Sequence, residues 1–227
     1  MHAELIRQQP QQGDYWLIEL ALASPSPAPA IGTSLHWQNK QACLFQHQGN
    51  RAQFLSRAPL PEPLDWTQVR WQQHACAPLQ FEHPQLWLAT GLAQASVFAA
   101  AKHWQQHAAN KAPFCALLHS EQAFAFTPKP ARFVWPLANE AIGACALLED
   151  WGVANRLAHA DGLPGCYEGQ LSALYHTWLT QQPTESCWHI YAFLPHSELT
   201  ALAQLSPPQM TLHLYATDED GLFSNAT

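Results

Sequence analysis

The order of periodic segments predicts an α/β protein: a small antiparallel β-barrel over residues 1–82, then a doubly wound, mostly parallel sheet flanked by helices over residues 83–227. Three observations carry this expectation. Before Gln85 the apolar segments are short and β-like, separated by proline-rich connectors. After Gln85 strand-like runs alternate with stretches of helical period. At Gly91 the period changes from strand to helix across a single turn.

The N-terminal segments come first. Tyr15 to Leu22 alternates in part, and Ser34 to Trp37, Ala42 to Gln48 and Ala52 to Leu55 follow as strands. Ser24 to Thr33 and Ala58 to Leu64 are rich in proline, which cannot donate to a central ladder and therefore marks loops or edges. Leu86 to Ala89 form an apolar strand run, and Val97, Phe98, Ala101, Trp104 and Ala108 then recur at helical spacing. Further strands are expected at Phe114 to Leu118, Arg132 to Trp135, Trp188 to Ala192 and Thr211 to Tyr215, giving a sheet of about five strands. Helices are expected near residues 139–151, with Gly152 as C-cap, and near 168–181 and 197–205. Leu171, Leu174, Tyr175, Trp178 and Leu179 place one apolar stripe along the second of these, facing a sheet. Trp104, Trp151 and Trp178 read as core, and His103 with His107 as a solvated helix face.

Composition excludes several function classes. The chain has 227 residues and a formal net charge of −7 with only 10 Lys plus Arg, against the basic footprint that nucleic acid demands. No run approaches the roughly 20 apolar residues of a membrane span, and the N-terminus carries no secretory pattern, so a cytoplasmic protein is expected. Cys43, Cys76, Cys115, Cys145, Cys166 and Cys187 are widely separated and form no C-x-x-C motif, so they read as buried thiols rather than a metal or redox centre.

Two loops read as nucleotide contacts. Thr90, Gly91, Leu92, Ala93 and Gln94 form a strand-to-helix turn, where the first helical N–H groups favour an anion. Asp161, Gly162, Gly165 and Gly169 open the helix near 168–181, and their glycines permit close backbone approach. In a doubly wound sheet both loops lie at the carboxyl edge.

These elements resemble the ferredoxin-NADP reductase superfamily, in which a small flavin-binding barrel precedes a nicotinamide-binding α/β domain, and in particular the electron-transfer subunits of dihydroorotate dehydrogenase. Leu86 to Ala95, LWLATGLAQA, is similar to that family's A-G-G-x-G-x-A-P turn at Ala89, Gly91 and Ala95, while Thr90, Ala93 and Ser96 replace two glycines and the proline. Asp161, Gly162 and Gly165 match a D-G-S-x-G-x-x-G loop, with Gly169 one residue late. The family's Cys-Gly-Pro turn, which approaches the nicotinamide, has its counterpart in Phe193, Leu194 and Pro195, and Arg51 to Ser56 echoes the flavin-binding strand. The resemblance implies FAD and NAD(P) as cofactors, a redox partner protein, and no iron–sulfur cluster, since the C-terminal cysteines of the dihydroorotate dehydrogenase subunit are missing. It implies either an oxidoreductase or electron-transfer subunit using flavin and nicotinamide, or a non-catalytic binding protein that kept the fold; the aromatic at Phe193 fills space that a nicotinamide would use.

Overall fold

The structure, a computed structural model, describes residues 3–23, 28–74, 76–107, 112–135, 137, 140–218 and 220–223. Residues 24–27 of the first proline-rich connector, Ala108 of the expected helix stripe, and residue 139 at the expected start of the next helix lie outside them.

Six strands build the first sheet: β1 (Ala3–Pro10), β2 (Trp16–Leu22), β3 (Thr33–Trp37), β4 (Lys40–Gln48), β5 (Arg51–Ser56) and β6 (Arg70–Gln73). They pair antiparallel in the order β1-β2-β5-β4-β3-β6, a Greek-key arrangement. Apolar alternation was legible only where one face is buried. β1 and β6 are the outer strands of that order and carry mostly polar, exposed residues, so neither announces itself in the sequence. Glu19, buried on β2, accepts from Arg7 of β1 at 2.7 Å and Arg51 of β5 at 2.9 Å, which ties the polar edge together.

The second sheet is parallel and also six-stranded. It contains β7 (Gln85–Thr90), β8 (Phe114–Ser120), β11 (Ala154–His159), β12 (Tyr167–Glu168), β13 (His189–Pro195) and β14 (Thr211–Thr217), in the order β12-β11-β8-β7-β13-β14. β7 and β8 are buried at every residue, as central parallel strands must be when both faces are covered. The sheet has one strand more than expected, because β11 reads as a mixed Ala-Asn-Arg-Leu-Ala-His segment and β12 has only two residues. Arg132 to Trp135 is not a strand. The Arg132 side chain is held instead by Glu149 at 3.0 Å and Asp150 at 2.7 Å, and its backbone N–H by Glu149 at 2.9 Å. Beside it, β9 (Lys129–Pro130) and β10 (Gly143–Ala144) form a separate two-stranded pair.

Among the described residues four α-helices cover the parallel sheet: α1 (Gln94–Gln106), α2 (Ala146–Asp150), α3 (Leu171–Thr180) and α4 (His196–Leu205). α2 is far shorter than the expected 139–151 helix, and α3 starts three residues after Glu168, which belongs to β12. α3 and α4 pack on one face through Leu171, Leu174, Tyr175, Trp178, Leu199 and Leu202. α1 packs on the other face and, at the same time, against β4 of the antiparallel sheet. Ala99 joins the core of the first sheet, while Val97, Ala100, Ala101 and Trp104 join a cluster that spans both sheets.

α1 therefore sits where a larger side chain has no room. Ala100→Leu, at a fully buried position, is expected to overpack this seam and cost about 1–3 kcal/mol, read as a lower urea midpoint with an unchanged slope.

Candidate functional site

In a doubly wound sheet, ligands gather outside the carboxyl ends of the strands where the strand order reverses. Here the reversal lies between β7 and β13, with β8 on the other side of β7. Gly91 follows β7 directly and adopts φ +52, opening a 3-10 turn of Gly91–Ala93 that leads into α1. Pro195 ends β13 and caps α4. The crevice is filled by the chain itself. The segment after β14 folds back as a turn, with Gly221 N–H donating to the Asp218 carbonyl at 3.0 Å and Leu222 N–H to the Asp218 carboxylate at 2.8 Å. Its Asp220 carbonyl accepts the Leu92 N–H at 2.8 Å. A Cβ at Gly91 would collide with that carbonyl, and a Cβ at Gly221 with the backbone of Thr90 and Leu92. Two glycines thus let two backbones meet.

The sequence reading expected free N–H groups at both loops. At the first, Leu92 N–H is already engaged by Asp220. At the second, the N–H of Ser172 in the first turn of α3 donates to the buried Glu198 carboxylate at 2.9 Å. The positions expected to bind a ligand anion are answered by a carbonyl and a carboxylate of this chain. The loop of Asp161, Gly162, Gly165 and Gly169 does lie at the same edge, following β11, but β8 separates it from β7. Gly162 and Gly165 have φ of +69 and +80, and Gly165 accepts the Gly143 N–H at 2.6 Å, so these glycines serve contacts with β10 and the turn back to β12.

Thr90 and Gln94 turn inward. Thr90 Oγ1 shares a 2.9 Å hydrogen bond with His119 Nδ1, and Gln94 Nε2 donates to the His119 carbonyl at 2.7 Å. Burial, reinforced by His159, lowers the His119 pKa to about 4, so the ring is neutral near pH 7. Its Nε2 has no partner among the described residues, nor have the buried Ser96 Oγ and Thr217 Oγ1. His119, Ser96 and Thr217 stand at the ends of β8 and β14 and at the start of α1, so orphaned polar atoms collect along the edge that the C-terminal segment covers. Sequence reading set His119 aside as a metal partner of Cys115, because four strand residues span too far for one ion, and gave it no other role; it is followed in its strand by Ser120 and preceded by apolar residues.

Phe193 is fully buried. It stacks on Tyr215 at 4.6 Å and Trp87 at 5.6 Å and meets Phe223 edge-on at 5.9 Å. Trp87, Tyr191 and His213 stack across neighbouring strands at 4.3 and 4.4 Å, and the Tyr191 hydroxyl donates to the Pro78 carbonyl at 2.8 Å. The space beside the crevice is an aromatic ladder rather than a slot.

A second feature lies between the sheets. A cavity of about 280 Å3 opens between Phe45, Gln46, Gln53 and Leu55 of the first sheet and Gln94 and Phe98 of α1, closed by Phe126 and Leu147. Phe45 stacks on Phe98 at 4.7 Å, and Phe98 meets Phe126 at 6.1 Å. The Gln46 amide donates to the Gln53 side-chain oxygen at 2.6 Å, and Gln11 and Gln94 line the same cavity. Among the described residues no group of His, Cys, Asp and Glu is arranged to hold a metal ion, and no helix is long and apolar enough to cross a membrane.

No protein-family model matches the chain, and no curated protein matches its sequence. Solved structures do match. The FAD/NAD-binding domain of nitric oxide dioxygenase from Vibrio cholerae O1 biovar El Tor superposes with a TM-score of 0.60 at 11% identity, covering 95% of this chain and 98% of that one. The Amycolatopsis cytochrome P450 reductase GcoB gives 0.61 at 11% identity over 93% of this chain and 68% of its own. A siderophore-interacting protein from Acinetobacter baumannii gives 0.54 at 12% identity over 93% and 88%. The chain has the ferredoxin reductase-like FAD/NAD-binding fold.

His119 makes this edge sensitive to acid. The folded state withholds a proton that the unfolded chain accepts, so stability is complete above about pH 6.5 and falls as pH drops toward 4. From pH 7 to pH 5 the loss from this one group is about 2 kcal/mol. His119→Gln is expected to flatten that part of the stability profile in urea unfolding.

Proposed function

We propose that this chain is a flavin-dependent electron-transfer oxidoreductase that holds the flavin ring in the cavity between the antiparallel sheet and α1 and passes electrons to a partner protein. The cavity carries the reading. Phe45, Phe98 and Phe126 offer flat apolar walls, and Gln46, Gln53 and Gln94 supply amides for the polar edge of a ring system. The residues fit a flavin ring better than a whole dinucleotide, since among the described residues the cavity lining contains no Lys or Arg to meet phosphates. A bound flavin supplies one- and two-electron redox chemistry; the chain's own residues bind it, orient it and exclude water. In support, solved structures of the same fold are described as FAD/NAD-binding, and as a ferredoxin reductase in a carbazole dioxygenase system.

In this reading residues 1–82 form the flavin side and residues 83–227 the nucleotide side, in the cytoplasm and without an iron–sulfur cluster. Kinship with the dihydroorotate dehydrogenase subunits is the narrower proposal, resting on Asp161, Gly162 and Gly165. NAD(P) does not fit the turn of Thr90, Gly91, Leu92, Ala93 and Gln94 while Asp220 occupies it.

That same contact favours a second reading, a non-catalytic binding protein whose nucleotide crevice is closed permanently. Protein purified without added cofactor decides the first point. It is expected to show the flavin absorption band or to quench added FMN or FAD, and Phe45→Ala is expected to weaken that binding up to about tenfold. Colourless protein that ignores all added flavins would defeat the first reading. Deleting residues 218–227 tests the crevice. NADH or NADPH is expected to bind the shortened chain and not the full one, and a shortened, folded chain that still binds neither supports permanent closure.

A further inference from the structure

Farther along α1, sharing no lining residue with the cavity at Phe45 and Phe98, lies a larger cleft of about 470 Å3. Its floor is apolar, built from Ile31, Leu44, Leu79, Phe81 and Ala99. Its polar groups come from three elements: His47 on β4, His74 just after β6, and Lys102 and His103 on α1. Gln73 and Gln106 add amides at the rim. The chain carries 17 Asp plus Glu against 10 Lys plus Arg, yet among the described residues none of the acids lines this cleft. An apolar floor rimmed by donors with a single sign of charge is complementary to one kind of molecule.

We infer that this cleft binds a small amphipathic carboxylate, with a body of one or two rings on the floor and the carboxylate toward Lys102 and the imidazoles. The volume falls within the ordinary range of small-molecule pockets, about 300–1,000 Å3. Lys102 lines the cleft, and its ammonium donates to Gln105 at 2.9 Å and stands 5.1 Å over the Trp151 ring, both residues outside the lining, so it keeps donor capacity and turns from them to meet a carboxylate. His74 is braced from behind, stacked on Phe223 at 4.3 Å. An imidazole N–H and an ammonium give charge-assisted hydrogen bonds to a carboxylate and much weaker ones to an alcohol. The inference is independent of the flavin reading, because the two cavities share no lining residue.

The test uses the full chain and a matched pair of probes, naphthalene-1-carboxylate and naphthalene-1-methanol, titrated by calorimetry at pH 7. The carboxylate is expected to bind at least tenfold more tightly than the alcohol. Lys102→Met, which keeps the stem and removes the charge, is expected to erase most of that difference and leave the alcohol's affinity unchanged, which also shows that the cleft is still folded. Equal affinities for the two probes would overturn the inference, as would no binding of the carboxylate. A carboxylate affinity unmoved by both Lys102→Met and His47→Gln would place the ligand elsewhere and equally overturn it.

Discussion

The dependence of everything else on α1 follows from its width. The helix lies between two sheets, and its middle turn is Ala99, Ala100 and Ala101, all buried. Side chains this small let β4 approach on one side and β7 and β8 on the other. Where the helix carries Phe98, the antiparallel sheet answers with Phe45 and the gap becomes the smaller cavity. Where it carries Lys102 and His103, the larger cleft opens. Both cavities are lined by residues of this one helix, on either side of its alanine centre.

A second constraint acts at the carboxyl edge of the parallel sheet. Backbone N–H groups at a strand-to-helix turn must find an acceptor, because an unpaired buried amide costs about as much as a lost hydrogen bond. In this chain the Asp220 carbonyl and the Glu198 carboxylate are those acceptors. The acceptors do not cover everything, and the unpartnered atoms of His119, Ser96 and Thr217 remain behind the C-terminal turn. A buried edge that satisfies its amides but not its side chains is what a crevice leaves when its own chain, rather than a shaped ligand, closes it.

Much of the fold was legible because burial writes itself into period. β7, β8, β13 and the stripe of α3 are buried runs, and the sequence shows them as such. β1, β6 and β14 are edge strands with one or both faces wet, and only β14 had enough apolar alternation to be seen. β11 escaped because its buried Asn155 and Arg156 break the apolar run; Asn155 bonds the Cys145 backbone at 2.7 Å, and Arg156 reaches the Phe133 carbonyl at 2.8 Å. The Gly91 turn could be located from sequence but not its occupant. Asp220 is more than 100 residues away, and no local pattern reports that a distant backbone will sit on a turn.

Phe193 and Leu194 show why the crevice is not a degraded version of an open one. They point to opposite faces of β13, as successive strand residues must. Phe193 enters the aromatic ladder with Trp87, Tyr215 and Phe223, and Leu194 enters the other core beside Leu199 and Leu202. Each side chain is completely buried and packed by several elements. The partners are adjusted to match: Tyr215 fixes the connector through its hydroxyl, which accepts the Ala77 N–H at 2.7 Å, and Phe223 belongs to the segment that covers the Gly91 turn. A large residue at 193 therefore packs against the C-terminal turn whose Asp220 carbonyl accepts the Leu92 N–H. The filled slot and the occupied turn are joined through Phe223, so they are two ends of one packing arrangement.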